Sequence, residues 1–154
     1  MQPIADTLDL FHPLVAEWFR ARLGRPTDVQ MRAWTAIAEG RHVLITAPTG
    51  SGKTLAAFLI AVDRLVTGAW PAGRTRLLYV SPLKALNNDI RRNLLAPLAQ
   101  LRVHFAEAGA AFPSIGVQTR SGDTAQAERR RMLSRPPEIL ITTPESLNIL
   151  LSSR

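Results

Sequence analysis

Between Ala47 and Thr54 the chain reads Ala-Pro-Thr-Gly-Ser-Gly-Lys-Thr, and no other eight residues narrow its possible fold as far. Two glycines two positions apart let the backbone curl until several N–H groups face one point. A lysine follows directly, and then a threonine hydroxyl. The run matches the phosphate-binding loop except at its first position, where Ala47 stands in place of glycine. Such a loop works only between a strand and a helix. His42 to Thr46 is a short β-rich run before it, and Lys53 to Thr67 is an apolar helical run that Gly68 closes. A loop that merely turns the chain would need neither flank. In the phosphate-binding reading the small residues let the backbone amides cradle the anion, Lys53 reaches the terminal phosphate oxygens, and Thr54 offers its hydroxyl to Mg²⁺.

The remaining sequence fits the fold that this loop requires. Short β-rich runs alternate with longer helical patterns, the order that βαβ units and a parallel sheet produce. Two helices come first, one from His12 to Leu23 and one opened by Thr27 and closed by Gly40. Later strands are expected at Arg76 to Ser81, Ser114 to Thr119 and Glu138 to Thr142. Between them lie a helix from Leu83 that Pro97 interrupts and a helix from Thr124 to Ser134. A last helix starts at Pro144 with Thr143 as its cap, and Glu145 in its first turn suits the positive end of the helix dipole. The reading is an α/β chain in two parts: residues 1–40 form a helical segment, and residues 41–154 carry the parallel sheet with its flanking helices.

Composition narrows the partners. At 154 residues and 46% apolar content, one core and one domain are expected. The first eleven residues carry Asp6 and Asp9 where a secretory leader would carry basic residues, and the longest apolar run, Leu55 to Val62, is too short to span a bilayer. A cytoplasmic protein without a membrane role is expected. There is no cysteine, and His12, His42 and His104 share no ligand spacing, so a structural zinc is not expected. A net charge of +7 suits a partner rich in phosphates. The chain has just two lysines, Lys53 and Lys84, and both fall inside motifs argued here.

The segments around the loop resemble the ordered motifs of superfamily 2 helicases of the DEAD/DEAH-box type, whose phosphate loop accepts alanine at its first position. Pro26-Thr27-Asp28-Val29-Gln30 resembles the Q motif. The resemblance implies that Gln30 pairs with adenine, whose N6 and N7 ask for one acceptor and one donor, as an amide supplies. Arg25 and Phe11 are placed beside the base. Ser81-Pro82-Leu83-Lys84-Ala85-Leu86 resembles motif Ia, and Thr142-Thr143-Pro144-Glu145-Ser146-Leu147 resembles motif Ib. Thr119-Arg120-Ser121-Gly122-Asp123-Thr124 resembles the glycine-containing motif on the same track. These imply that Pro82, Leu83, Lys84, Arg120, Gly122, Asp123, Thr143, Pro144 and Glu145 line a nucleic-acid track, with Glu145 holding its loop. The implied nucleotide is ATP with Mg²⁺, gripped by Ala47, Pro48, Thr49, Gly50, Ser51, Gly52, Lys53 and Thr54.

The wording of Phe11-His12-Pro13, of Leu83 to Ile90 and of Arg120 to Thr124 resembles the large helicase-related (Lhr) proteins, which move 3′ to 5′ on single-stranded DNA. RNA or a hybrid is the alternative track. The run Glu128-Arg129-Arg130-Arg131 shares in that similarity but reads as a solvated helix face. The resemblance implies an incomplete RecA-like domain. The family's next motif is an Asp-Glu pair that handles Mg²⁺ and the attacking water, and no such pair occurs in these residues. A second motor domain is expected beyond them. The family's sheet sets later strands beside the phosphate-loop strand, so that strand is expected to be partly unpaired here. Two rivals stand beside the motor: a non-catalytic module that binds nucleotide and nucleic acid, and a P-loop small-molecule kinase. The kinase leaves Gln30, Lys84 and the Thr143-Pro144-Glu145 turn unexplained.

Overall fold

A computed structural model describes residues 6–82 and 90–152. Helix α1 spans Pro13–Leu23, and the Nδ1 of His12 caps it by accepting the Leu14 N–H at 3.2 Å. Pro13 sits in the first turn, where its missing N–H costs nothing. Helix α2 spans Asp28–Ala38 and opens with a reciprocal capping box: Thr27 Oγ1 accepts the Gln30 N–H at 3.3 Å, and Gln30 Oε1 accepts the Thr27 N–H at 3.0 Å. Helix α3 spans Lys53–Val66. Its sequence is apolar on nearly every side, and it is buried on nearly every side, as such helices must be.

Three strands form one parallel sheet in the order β1-β3-β2, with β1 at Leu77–Val80, β2 at Val117–Arg120 and β3 at Ile139–Thr142. The central strand is the most apolar, and its Ile139 and Ile141 are fully buried. On the edge strand β1 burial alternates: Leu77 and Tyr79 turn toward the core, and Leu78 and Val80 are exposed. Tyr79 meets Phe58 of α3 with ring centroids 4.9 Å apart, which fixes α3 against this strand. A π-helical turn, Arg91–Leu95, leads into α4 at Ala96–Glu107. Pro97 was expected to interrupt this helix and instead sits in its first turn. A proline there removes one N–H from the ladder, and the widened π turn before it absorbs the loss. Helices α5, Gln126–Ser134, and α6, Pro144–Ser152, complete the order.

One expected element is corrected. His42 to Thr46 forms no strand, and among the described residues none of its N–H groups donates to another backbone. Leu44 is 92% exposed. A β-rich run encodes a preference for extended backbone, whereas a strand also needs a neighbour to pair with, and no described strand pairs with this one, although its Ile45 packs against the core.

The N-terminal segment shares the core of the sheet. Trp34 is fully buried, takes the edges of Phe11 and Phe19 at 4.8 and 5.4 Å, and donates its indole N–H to the Ala56 carbonyl of α3 at 2.9 Å. Asp63, an acid inside the most apolar helix, accepts the His12 N–H at 2.7 Å. Burial pushes the Asp63 carboxyl above its ordinary range, against the opposing pull of that hydrogen bond. No helix among the described residues is long and apolar enough to cross a membrane.

Candidate nucleotide and nucleic-acid site

The phosphate loop takes the shape its glycines were read to allow. Gly50 and Gly52 have φ of 84° and 82°, a left-handed region that side chains with a Cβ avoid, and Gly52 is the N-cap of α3. A Cβ on Gly52 would overlap the amide of Gln30, so glycine is required there on two counts. The loop is held from behind by the second helix. Thr27 Oγ1 donates to the Ser51 carbonyl at 3.1 Å, and Gln30 Nε2 donates to the Gly52 carbonyl at 3.4 Å. Lys53 folds back over the loop, its Nζ donating to the carbonyls of Ala47 and Pro48 at 2.5 and 2.7 Å. A cation held on carbonyls in this way has two partners to exchange for phosphate oxygens.

Two atoms mark the loop as a receptor. Ser51 Oγ is buried and has no hydrogen-bond partner, a costly state for a hydroxyl in a packed loop. Thr54, half-buried in the first turn of α3, makes no hydrogen bond through its side chain to the described residues. The free amides at that helix end and the lysine charge favour an anion. A cavity of about 320 Å³ opens against the loop and is lined by Arg25, Gln30, Gly50 and Gly52 on one side and by Trp18 and Asn93 on another. Arg25 and Gln30 thus line the same cavity. Phe11 is not: it is buried against Trp34, and its apolar ring gains more from the core than from a wet site, so its expected place beside a base is corrected.

The second group of predicted residues meets at one end of the sheet. The register pairs Val80 with Thr142 and Thr142 with Arg120, so the three parallel strands end in a row. Pro82 follows β1, Gly122 and Asp123 follow β2, and Thr143, Pro144 and Glu145 follow β3. One backbone and one side-chain bond tie the row together: the Ser81 N–H donates to the Thr142 carbonyl at 3.1 Å, and Thr142 Oγ1 donates to the Arg120 carbonyl at 2.8 Å. Thr143 caps α6 as expected, its Oγ1 accepting the Ser146 N–H at 3.3 Å. Leu83 and Lys84 lie outside the described residues. Glu145 does not hold its loop as expected. It is exposed and makes no hydrogen bond or ion pair with described residues, because a carboxylate in an exposed first turn is already satisfied by water.

Sequence reasoning missed two contributions to the site. Thr27 supports the loop through Ser51, and the Thr27-x-x-Gln30 capping-box spacing was the readable signal for a fixed Gln30. Arg129, assigned to a solvated face, instead donates through Nη2 to the carbonyls of Ser121 and Gly122 at 3.2 and 2.7 Å.

A parallel sheet, a phosphate loop opening its first buried helix, and loops gathered at the strand ends define a P-loop nucleotide-binding domain of the RecA-like kind. Residues 27–154 match the DEAD/DEAH box helicase family, and the chain belongs to it. It is 52% identical over 150 residues to the Lhr helicase/probable uracil glycosylase of Mycolicibacterium smegmatis, covering 97% of this chain and 10% of that protein. It is 45% identical over 154 residues to the ATP-dependent helicase Lhr-Core of Sulfolobus acidocaldarius, covering 98% of this chain and 17% of that protein. The solved structure of Mycobacterium smegmatis helicase Lhr bound to ssDNA and AMP-PNP matches with a TM-score of 0.87 and 51% identity, covering 97% of this chain and 19% of that one. The chain thus spans a tenth to a fifth of the relatives it matches.

Proposed function

We propose that this chain is the front of the first RecA-like domain of an ATP-driven motor that moves 3′ to 5′ along single-stranded DNA in the cytoplasm. Residues 1–40 carry the adenine-reading segment, and residues 41–154 carry the phosphate cradle and the track. The observation that carries the reading is the row of strand ends. One register sets the turns after β1, β2 and β3 side by side, each starting with a segment that resembles a backbone-gripping motif.

In this reading Gln30 and Arg25 hold the base, and Ala47, Pro48, Thr49, Gly50, Ser51 and Gly52 curl their amides around the phosphates. Lys53 leaves the carbonyls of Ala47 and Pro48 for the terminal phosphates, and Thr54 offers its hydroxyl to Mg²⁺. The residues fit a nucleotide: the orphaned Ser51 hydroxyl and the left-handed glycines that let the backbone curl are both at the loop. Mg²⁺ held at Thr54 would supply charge neutralisation for the phosphates. Pro82, Leu83, Lys84, Arg120, Gly122, Asp123, Thr143, Pro144 and Glu145 line the strand path, where backbone amides and cations meet phosphates without reading sequence. A second motor domain in the full chain closes over the nucleotide.

The test is nucleic-acid-stimulated phosphate release by the full chain, with displacement of streptavidin from labelled strand ends reporting direction. Single-stranded DNA is expected to stimulate release and a 3′ to 5′ mover to clear the 5′ label. Lys53→Ala should lose about thirtyfold in ATP affinity, the value of one charge-assisted contact of about 2 kcal/mol. Binding without turnover would favour the non-catalytic module, and stimulation by RNA alone would replace the DNA track.

A further inference from the structure

We infer that Arg129 is a positioning residue for the nucleic-acid track: it fixes the turn after β2 from below and does not grip a phosphate itself. The inference rests on the track reading proposed above and extends it to a residue on a different element. One guanidinium nitrogen, Nη2, donates to two successive carbonyls of the turn, Ser121 at 3.2 Å and Gly122 at 2.7 Å. The same turn is closed from its other side, where the Ser121 N–H donates to Thr124 Oγ1 at 2.8 Å and the Thr124 N–H donates to the Ser121 carbonyl at 3.3 Å.

These contacts leave the turn with a definite polarity. Its carbonyls point down to the cation, while the amides of Gly122 and Asp123 donate to nothing among the described residues. A turn whose carbonyls are held on one side offers its N–H groups on the other, which is the arrangement an anion needs. The anchor sits on α5 only eight residues beyond Ser121, and a single nitrogen with two hydrogens holds both acceptors at once. The Nε of Arg129 is buried with no hydrogen-bond partner, a cost that a freely solvated arginine would avoid by turning outward. The neighbouring Glu128 and Arg130 are exposed, so Arg129 is the member of the run turned inward.

Positioning and gripping predict different salt behaviour. Neutral amides release no counterions, so loss of a positioned turn weakens binding without changing its salt slope, whereas loss of a gripping cation lowers the slope by about 0.7 on a single strand. The experiment measures single-stranded DNA affinity of the full chain against salt for Arg129→Ala, Arg129→Lys, Gly122→Ala and the double variant Arg129→Ala/Gly122→Ala, with ATP affinity as the check on folding. Gly122 has open space where a Cβ would go, so its alanine variant folds and perturbs only the face offered to the strand.

The expected result is a roughly tenfold weaker affinity for Arg129→Ala with slope and ATP affinity unchanged. Arg129→Lys should restore part of it, and the double variant should lose less than the sum of the two single losses. A slope lowered by one contact, with additive losses, would make Arg129 a direct phosphate ligand and overturn the inference. Unchanged affinity for Arg129→Ala beside a weakened Gly122→Ala would overturn it while leaving the track in place. Unchanged affinity in every variant would remove the turn from the track and defeat both readings.

Discussion

Gln30 has a structural role in the capping box and the phosphate loop, and the base-reading role proposed for it uses what those contacts leave free. Its amide is buried and already makes two bonds, accepting from the Thr27 N–H and donating to the Gly52 carbonyl. An amide oxygen has two lone pairs and an amide nitrogen two hydrogens, so one acceptor and one donor remain. That remainder matches adenine N6 and N7 and mismatches guanine, whose edge offers two acceptors. The sequence carried both meanings in the same letters, since Thr27-x-x-Gln30 is at once a capping box and part of a helicase-like motif. The expectation for Gln30→Glu is a retained cap, because the carboxylate still accepts the Thr27 N–H, with the preference for ATP over GTP lost. Gln30→Ala should lose both, with about 1 kcal/mol of stability from the cap. Thermal melts beside competition of ATP and GTP for a fluorescent nucleotide check this, and a preserved preference in Gln30→Glu would remove Gln30 from base recognition.

At the scale of elements, local pattern located most of the parts. Helices with a cap, a break and an apolar stripe were placed within a residue or two: α6 begins at Pro144 as expected, and α5 begins two residues after Thr124. What local pattern did not reveal is how the starts of the strands are held. Glu138, read as the first residue of a strand, accepts the Gly73 N–H at 2.9 Å on one oxygen and the Gly116 N–H at 2.7 Å on the other. These partners lie 65 and 22 residues away, too far for any window of sequence to connect. Burial alone would push the Glu138 carboxyl up, but the backbone N–H groups outweigh it and hold the group below its ordinary range. A depressed acid contributes stability that is complete above its unfolded pKa and is lost as pH falls through its folded pKa. The clamp should therefore weaken below about pH 4.5, the ordinary value of the group. Glu138→Gln presents one N–H to another N–H and should cost about 2 kcal/mol near neutral pH, while flattening the acid limb of stability. Urea melts of both proteins from pH 7 to pH 3 test it, and an equal acid dependence would assign that limb to other carboxylates.

At the scale of the whole molecule, the three paired strands and the unpaired run His42 to Thr46 differ in how their described backbone is held. The candidate site was legible to the extent that it is built from short segments: the loop, Gln30 and the turns that the structure sets at the strand ends can all be named from sequence. The order and register of pairing were not legible, beyond the partly unpaired phosphate-loop run that the family resemblance implied, because they depend on which segments lie side by side. β3 is bonded on both sides by β1 and β2, and its isoleucines are buried. His42 to Thr46 has no strand beside it among the described residues, with Val43 and Leu44 exposed, although it leads directly into the phosphate cradle. Local opening free energies run from near zero for such backbone up to the global stability for a central strand. For the 154-residue chain, amide exchange should therefore separate the two segments by at least about a thousandfold, the equivalent of roughly 4 kcal/mol of opening energy. Mass-resolved exchange of peptides covering 42–46 and 139–142 measures the ratio. The cradle beyond residue 46 should exchange more slowly than that run, because Thr27 and Gln30 tie Ser51 and Gly52 to α2. Saturating ATP and Mg²⁺ should slow the cradle further while leaving the β3 peptide unchanged. Equal protection of 42–46 and 139–142 would mean that the phosphate-loop segment has found a pairing partner and that the sheet has more than three paired strands.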